Sequence, residues 1–437
     1  MTLDKVDPVR NSVNATMSNS GTRRPKWFAR SGIVAALDVG TSKVSCLIGR
    51  ADEQGRFKII GAGHQLARGI KAGAIIDMEQ AEAAIGTAVH AAEQMAGETI
   101  RSVIVNLTGG QPRSRNVQVE IAIGGNPVGD AEVRKALAQA RQVQIGPDAE
   151  LIHSIPVSYS IDNTRGIHDP RGMFGDRLGI QLNLVAAATG PVRNLATCIA
   201  RCHLDIESIV ASPYAAALAA LVDDEMDLGC TLIDMGGGTT SIAGFLDGGL
   251  AFTDCVPVGG SHVTNDIARG LTTAVVHAER IKTLHGSAMA SSADERETIM
   301  VPQIGEEGPG QAAQVQKSQL VSIIQPRMEE IFELVRDRLE ASGFAKSLGR
   351  RVILTGGASQ LPGTRELAQA ILDKQVRLGR PLNLTGDIGA SAGPAYATVA
   401  GLLAYAIQHR PEVPTAVQTD SSPGWLRRVG RWIKENI

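Results

Sequence analysis

The chain has 437 residues, of which 43% are hydrophobic and 20% are charged, so it can bury the cores of two or three domains. Its formal net charge of −2 argues against a protein that coats nucleic acid, and we expect no nucleic-acid partner. No apolar run is long enough to span a membrane, the nine histidines lack zinc-ligand spacing, and the five scattered cysteines are typical of reduced thiols.

Residues 1–30 form a polar N-terminal segment. They are rich in Ser, Asn and Thr and end in the basic-aromatic stretch RRPKWFAR. A segment with so few apolar residues does not build a core, so we expect a disordered arm.

Two similar segments follow, one in each half of the chain. Each has an apolar strand, an Asp, a Gly-rich turn with hydroxyl side chains and a second strand, first at 33–48 and again at 230–245. Glycine lets a backbone approach phosphate closely, and turn N–H groups form an anion-binding nest. One such hairpin is a weak signal, but its repetition predicts a nucleotide held between two lobes. The predicted phosphate-binding residues are Gly40, Thr41, Ser42, Lys43, Gly236, Gly237, Gly238, Thr239 and Thr240.

A carboxylate ends the first strand of each hairpin. Asp38 and Asp234 are therefore the predicted metal-binding residues, holding Mg2+ through water as hard oxygen ligands do. A P-loop is not an alternative source of phosphate binding, because the motif G-x-x-x-x-G-K-[ST] does not occur in the sequence.

Two further features fit the rest of a nucleotide. A strand at 351–355 runs into a glycine pair, where a base or ribose would lie close to backbone. An acidic and a basic residue three positions apart share a helical face, and they either contact ribose or adenine or form an exposed ion pair. The predicted adenosine-binding residues are Glu279, Lys282, Gly356, Gly357 and Ala358.

The middle of the chain predicts a small inserted subdomain. Strand-like segments at 116–123, 151–161 and 180–188 flank a helix at 131–143, with Asp130 as its N-cap. Residues 265–345 are predicted to be mainly helical, with a polar loop at 287–310 and a long helix at 318–341. A small-residue helix at 395–408 closes the body.

The C-terminus predicts an amphipathic helix after a Pro/Ser/Thr linker. Tryptophan and aliphatic residues form one stripe of this helix, and basic residues take the remainder, which favours a helix lying in a membrane interface. A helix docked on the body and a calmodulin-type target are the alternatives. The predicted membrane-binding residues are Trp425, Leu426, Arg427, Arg428, Val429, Arg431, Trp432, Ile433 and Lys434.

The repeated hairpins resemble the actin-like ATPase superfamily, and several longer stretches are similar to its bacterial cell-division family FtsA. These stretches are IPVSYSID at 155–162, GIHDPRGM at 166–173, AERIK at 278–282, and IQPR at 324–327. The resemblance implies a two-lobed α/β actin-like (ribonuclease H-like) ATPase fold with an inserted small α+β subdomain and a C-terminal amphipathic helix. The expected segments are the arm 1–30; a first-lobe core of 31–112, 192–228 and 394–410; the insert 113–191 with filament contacts; a second-lobe core of 229–264 and 346–393; a helical subdomain 265–345; the linker 411–423; and the membrane helix 424–437.

The same resemblance implies function. It indicates ATP and Mg2+ between the lobes, polymers of the chain with itself, and a peripheral location on the cytoplasmic face of the inner membrane at the division septum. It also implies capture of the C-terminal peptide of the tubulin homologue FtsZ near Arg327 and Glu330, and recruitment of later division proteins. Strongly hydrolysing actin-fold enzymes usually carry Glu or Gln at the crossing between lobes, where this chain has Ser212. Because a hydroxyl is a poor general base, we expect weak or negligible ATPase activity.

Three other proteins of the same fold are alternatives. They are a type IV pilus assembly ATP-binding protein, a small-molecule kinase such as a sugar or acetate kinase, and a heat-shock-type chaperone. The basic, Trp-rich terminal helix favours the division protein over all three. A G-x-S-x-G hydrolase motif at 389–393 lacks the preceding strand that this motif needs, so we interpret it as chance.

Overall fold

The structure is a computed structural model that describes residues 32–51, 57–140, 146–305, 312–382, 384–386 and 393–407. The predicted arm at 1–30, the linker at 411–423 and the amphipathic helix at 424–437 lie outside the described residues, as does most of the G-x-S-x-G motif. No helix within the described ranges is both long and apolar enough to cross a membrane.

Strands and helices alternate along most of the described chain. The strands are β1 (Ile33–Val39), β2 (Lys43–Ala51), β3 (Phe57–Leu66), β4 (Ile70–Lys71), β5 (Ala74–Ile75), β6 (Ser102–Leu107), β7 (Arg113–Ala122), β8 (Ala149–Ile161), β9 (Thr164–Ile167), β10 (Arg177–Ala188), β11 (Asp205–Ala211), β12 (Cys230–Met235), β13 (Thr240–Leu246), β14 (Gly249–Val256), β15 (Thr298–Val301), β16 (Ala313–Gln316), β17 (Arg351–Thr355), β18 (Gln375–Leu378) and β19 (Leu384–Gly386). The helices are α1 (Met78–Ala96), α2 (Asp130–Ala140), α3 (Thr189–Arg201), α4 (Ser212–Ala220), α5 (Asp223–Leu228), α6 (Gly260–Gly270), α7 (Val275–His285), α8 (Lys317–Ala341), α9 (Thr364–Leu372) and α10 (Ala397–Ile407).

Two sheets of equivalent topology organise the two lobes. The first has the strand order β11-β6-β1-β2-β3-β19, and the second has the order β14-β13-β12-β17-β18. In each, three consecutive antiparallel strands are extended on one side by two parallel strands, so β3-β2-β1-β6-β11 corresponds to β14-β13-β12-β17-β18. The two hairpins recognised in the sequence therefore occupy the same position in each sheet.

Two helices pack between the sheets and join the lobes. Helix α4 is buried along its whole length, and α10 packs against it in a core shared by residues of both sheets. A Cβ added at Gly401 of α10 would overlap the carbonyl oxygen of Ala215 in α4, so the close approach of the helices requires glycine there. Helices α1 and α3 pack on the first sheet in a second core, and α6 to α9 pack on the second sheet in a third.

A four-stranded antiparallel sheet is inserted between β6 and α3. Its order is β7-β10-β8-β9, and α2 packs on one face through Val133, Ala136, Leu137 and Ala140. Asp130 is the first residue of α2 rather than a residue before it, and β9 was not predicted because it is short and mostly exposed. The predicted boundary between 191 and 192 falls inside α3.

The helical part of the second lobe contains a short hairpin that the sequence analysis treated as loop. Strands β15 and β16 pair within the predicted polar loop and just beyond it, with Ile299 and Val301 buried. The prediction of loop was wrong here because only two apolar residues alternate in a polar stretch. Helix α8 follows and continues through Pro326.

Candidate functional site

The two hairpins face each other across the gap between the lobes. Asp38 lies opposite Ser45 in the β1–β2 register, and Asp234 lies opposite Ser241 in the β12–β13 register. Each turn closes with one backbone hydrogen bond, from the Gly40 N–H to Lys43 O at 3.1 Å and from Gly236 N–H to Thr239 O at 2.9 Å. The same local sequence pattern has therefore produced two equivalent turns at the carboxyl ends of equivalent strands.

The tips of the two loops are in direct contact. A Cβ added at Gly237 would overlap Ser42 Oγ, and one added at Gly238 would lie 2.6 Å from Thr41 Oγ1. Thr41 is held in turn by the Gly73 N–H, which donates to its Oγ1 at 3.0 Å. Glycine is thus required at the second loop because the first loop approaches so closely.

A cavity of about 380 Å³ lies behind these tips. Its wall is formed by both hairpins, the start of α6, one face of α7, the glycine pair after β17 and the start of α10. The lining residues include Asp38, Gly40, Thr41, Ser42, Lys43, Asn106, Thr108, Ser212, Asp234, Gly236, Gly237, Thr239, Ser241, Gly260, Glu279, Lys282, Met328, Gly356, Gly357, Ala358, Gln360 and Thr398.

Asp38 sits at one end of a chain of polar side chains. Asn106 Nδ2 donates to Asp38 Oδ1 at 2.6 Å and lies 3.1 Å from Ser212 Oγ, and the Thr108 and Ser212 hydroxyls are 2.5 Å apart. Asn106 Oδ1 accepts from the Val39 N–H at 2.7 Å, which fixes the orientation of the amide. Burial raises the pKa of Asp38 to about 7, against the effect of Lys43, and the nearby charge of Asp234 adds to the rise.

Asp234 has a different set of partners. Thr398 Oγ1, at the start of α10, donates to Asp234 Oδ2 at 3.0 Å. Burial raises the pKa of Asp234 to about 6, although the Thr398 bond and Lys43 favour the carboxylate. Gly356 has a φ of +84°, and a Cβ there would overlap Asp234 Oδ1, so the backbone after β17 can approach this carboxylate only because residue 356 is glycine.

The two aspartates suit a hydrated divalent cation. Their charges act on each other, since Asp234 raises the pKa of Asp38, and a cation between them would replace that repulsion by attraction. No cluster of three or more His, Cys, Asp or Glu side chains with metal-binding geometry occurs in the described ranges. The remaining ligands of such an ion would therefore be water or phosphate oxygens, as is usual for Mg2+.

Lys43 supplies a cation at the mouth of the first loop. Its Nζ lies 3.1 Å from the centre of the Tyr396 ring, and burial lowers its pKa to about 8 although Asp38 and Asp234 favour its charged form. An ammonium group this poorly hydrated gains from an anionic partner.

Glu279 and Lys282 are joined to the start of α6. Lys282 Nζ donates to Glu279 Oε2 at 2.7 Å, to Thr264 Oγ1 at 2.8 Å and to the Gly260 carbonyl at 3.1 Å. The predicted pair therefore forms an ion pair on the cavity wall, within reach of the second loop.

The start of α6 also supports the second loop. The Gly260 and Ser261 N–H groups donate to the carbonyls of Gly236 and Gly237 at 2.9 and 2.7 Å. Gly259 begins this segment, and a Cβ there would lie 2.6 Å from Gly236 O, so the segment packs closely on the loop.

Most predicted nucleotide-site residues lie at this cavity, and a few do not. Gly238 and Thr240 are not among its lining residues: Gly238 packs on Thr41, and the buried Thr240 hydroxyl donates to Val258 O at 2.8 Å. Asn106, Thr108 and Thr398 also line the cavity but were not predicted from the sequence. The polar Asn106 inside the apolar strand β6 was a usable signal, whereas nothing local distinguishes Thr398.

Arg327 and Glu330 lie on α8, away from the cavity lining. Arg327 Nε is 2.6 Å from Asp266 Oδ2 of α6, and a second Arg327 nitrogen forms an ion pair with Glu330. The Asp266 contact keeps the pKa of Arg327 above its usual value. The two predicted residues are therefore adjacent, and any acidic ligand would compete with carboxylates already bound to Arg327.

Solved structures of similar fold place the architecture in a class. The chain is similar to the PilM-PilN type IV pilus biogenesis complex, with TM-score 0.60, 17% identity, and 86% of this chain and 98% of that one covered. It is also similar to MreB 5 of Spiroplasma citri bound to AMPPNP, with TM-score 0.50, 14% identity, and 93% and 99% covered. A family model described as the SHS2 domain inserted in FTSA matches residues 109–186. The protein has a mixed α/β actin-like fold with an inserted SHS2 domain.

Sequence relatives then give the family. A model described as cell division protein FtsA matches residues 231–401. The chain is 45% identical to cell division protein FtsA of Agrobacterium fabrum, covering 95% of this chain and 97% of the relative. It is 32% identical to the protein of the same description from Escherichia coli K12, covering 93% and 98%. The chain belongs to the FtsA family of cell division proteins, which confirms the resemblance found in the sequence.

Proposed function

We propose that this chain is an ATP-binding cell-division protein that polymerises on the inner membrane and tethers FtsZ to it. The observation that carries the proposal is the 45% identity along nearly the whole chain to a cell division protein FtsA, combined with a cavity formed by both hairpins. On the basis of the same family membership, the proposed function includes recruitment of later division proteins to the septum.

The proposed cofactors are ATP and Mg2+. Gly40 to Lys43, Gly236, Gly237 and Thr239 would hold the phosphates, and Asp38 and Asp234 would hold the ion through water. Glu279 and Lys282, with Gly356 to Ala358, would lie near the adenosine. The geometry supports this because the phosphate-binding groups meet at one cavity whose other wall carries the glycine pair. The MreB 5 structure of similar fold is described as bound to AMPPNP, an ATP analogue.

We propose that hydrolysis is slow. Ser212 begins α4 where the chain crosses between lobes, and its hydroxyl is bonded to Asn106 and Thr108, which are both uncharged. This chain of amide and hydroxyl groups can orient a water molecule but cannot remove its proton efficiently at neutral pH. ATP would act mainly as an assembly ligand that shifts the population of conformations.

The tether needs two ends. The proposed FtsZ end is the helical subdomain 265–345 near Arg327 and Glu330. The proposed membrane end is the amphipathic sequence 424–437, which joins the body through the linker 411–423. Four basic residues near anionic lipid contribute about 1 kcal/mol each, so a single copy binds reversibly and a polymer binds more tightly through effective concentration. The proposed filament contacts lie in the insert 113–191.

Sedimentation with anionic liposomes, FtsZ and ATP tests this proposal. The full chain is compared with a variant that ends at Ser422, and a Trp432→Glu/Ile433→Glu variant tests the helix within the full-length chain. We expect FtsZ to pellet with the liposomes only in the presence of the full chain.

Other outcomes favour the alternatives. The similarity to the pilus biogenesis complex shows the fold alone, but it makes a pilus adaptor the second candidate. If the full chain pellets and FtsZ stays in the supernatant, the pilus adaptor becomes the favoured function. If neither form pellets, the membrane proposal fails and an actin-fold kinase becomes the favoured alternative.

A further inference from the structure

The inserted subdomain contacts the outer edge of the second sheet. Strand β14 is an edge strand of that sheet, so its outer backbone groups need partners from elsewhere. Side chains of β7 and β10 provide them. Asn183 Nδ2 donates to Leu250 O at 2.8 Å, Asn116 Nδ2 donates to Ala251 O at 3.0 Å, Ser114 Oγ accepts from Thr253 N–H at 2.8 Å, and Arg113 Nε lies 3.1 Å from Asp254 Oδ1. We name these contacts the polar seam.

The polar seam is only partly satisfied. Asn116 Oδ1, Asn183 Oδ1 and Thr253 Oγ1 are buried and have no hydrogen-bond partner in the part of the chain that the structure describes. A buried polar network with unpaired members is less stable than a complete one. The seam thus joins the subdomain to β14 through a few side-chain contacts rather than a continuous β-ladder, beside the apolar contacts of Ile155 and Val185 in the shared core.

Both sides of the polar seam lead directly to the cavity. On the first lobe, Thr108 lines the cavity and the chain reaches Arg113 only five residues later. On the second lobe, the chain runs from Asp254 through Val258 to Gly260. The Val258 carbonyl accepts a hydrogen bond from Thr240 Oγ1, and the Gly260 N–H donates to the Gly236 carbonyl at 2.9 Å. A displacement of the second loop is thus carried along a short continuous segment to the seam.

The contact between the loop tips indicates how a ligand would act on the seam. Gly237 packs so closely against Ser42 that a phosphate group inserted between the two tips would have to push them apart. Separation moves Gly236 and the attached segment 259–261, and with them the end of β14, relative to β7.

We propose that the polar seam is a conformational latch: phosphate entry between the loops weakens the seam and frees the inserted subdomain to change its position on the second lobe. This inference rests on the proposed nucleotide binding. By linkage, loosening the seam lowers the cost of separating the loops, so seam variants bind nucleotide more tightly.

Hydrogen exchange and calorimetric titration with Mg2+ and AMPPNP test the latch in the full chain. The seam variant is Asn116→Ala/Asn183→Ala, which removes two residues that face each other across β7 and β10. The matched control is Gln118→Ala/Gln181→Ala. These two residues also face each other across β7 and β10, and their side chains form exposed hydrogen bonds to Glu120 and Ser158 within the subdomain. Because Asn183 is fully buried, Arg113→Ala provides a milder seam variant, with the exposed Arg115→Ala as its charge-matched control.

We expect AMPPNP to speed exchange at the Thr253 amide in the wild type, and the seam variants to bind AMPPNP about fivefold or more tightly than their controls. Equal affinity in seam variants and controls, with exchange at Thr253 unchanged by AMPPNP, would overturn the latch alone. If the wild type bound no nucleotide at all, the proposed function and the latch would both fail.

Discussion

The two hairpins share one backbone design but differ in what holds their aspartates. Asp38 is bonded to Asn106 and so to the polar chain that ends at Ser212 and Thr108. Asp234 is bonded to Thr398 and packs under Gly356, which ties it to α10 and to the turn that follows β17. The first-lobe aspartate is therefore linked to Ser212, where the chain crosses between the lobes, whereas the second-lobe aspartate is linked to α10, which packs between the lobes.

The largest effect should come from Gly237→Asp, because it acts on both hairpins at once. The new side chain would collide with Ser42 and place a negative charge where phosphate is proposed to bind. We expect binding of a fluorescent ATP analogue to weaken by more than about a hundredfold, or about 3 kcal/mol. Gly190→Asp is the matched control, since a Cβ there meets nothing within 4 Å and an acidic residue suits the start of α3. Wild-type affinity in the Gly237 variant would refute a site between the loops.

Gly401→Ala should weaken the packing of α10 on α4. The new methyl group overlaps the Ala215 carbonyl and pushes α10, which carries Thr398, away from α4. Overpacking of this kind costs about 1–3 kcal/mol, so the melting temperature of this 437-residue chain should fall by about 1–3 °C. Gly86→Ala in α1 is the control, because the methyl group meets nothing within 4 Å and alanine favours a helix. An unchanged melting temperature for the Gly401 variant would show that the helix contact does not support the lobes.

The pH dependence of the free energy of unfolding should distinguish Asp38 from Asp234. Because burial raises the folded-state pKa of Asp38 to about 7, the folded protein binds more protons than the unfolded chain between pH 4 and 7. Stability without nucleotide should therefore fall as pH rises through this range, and Asp38→Asn should remove more of that slope than Asp234→Asn, whose aspartate has a pKa of about 6. Urea unfolding at several pH values measures the slopes, and equal slopes in wild type and both variants would contradict the burial of these carboxylates.

Ser212→Glu should have the smallest effect, and that effect should appear in the rate of ATP hydrolysis. A carboxylate at position 212, in the hydrogen-bonded series of side chains that begins at Asp38, would act as the general base that the Ser212 hydroxyl cannot be. ATP turnover should therefore rise by about tenfold or more. Ser212→Ala is the control and should remain as slow as the wild type. A fast wild type, with turnover well above about 1 per second, would contradict the account of this residue.

The sequence predicted the hairpins because their signals are local. A strand of apolar residues, an Asp and a glycine turn specify the same structure wherever they occur, so Asp38 and Asp234 could be placed before any fold was known. Thr398 could not, because its role depends on α10 lying beside β12, and that is a contact between residues 164 positions apart. The β15–β16 hairpin was missed for a related reason, since its strands are too short to show a period.

The hydrogen bonds between the insert and β14 were also invisible in the sequence. Asn116 and Asn183 resemble ordinary polar residues of a half-exposed strand, and only the fold brings their amides to the edge of a second sheet. The two hairpin loops could therefore be predicted from local pattern, whereas the groups that connect them to the rest of the molecule required the three-dimensional structure.

Calorimetric titration of Mg2+ and AMPPNP into the wild type, Asp38→Ala and Asp234→Ala tests the central claim, that both hairpins form one nucleotide site. We expect the wild type to bind one nucleotide per chain and each single variant to lose most of that affinity. Wild-type binding by either variant would show that one hairpin suffices and would contradict a site shared between the lobes.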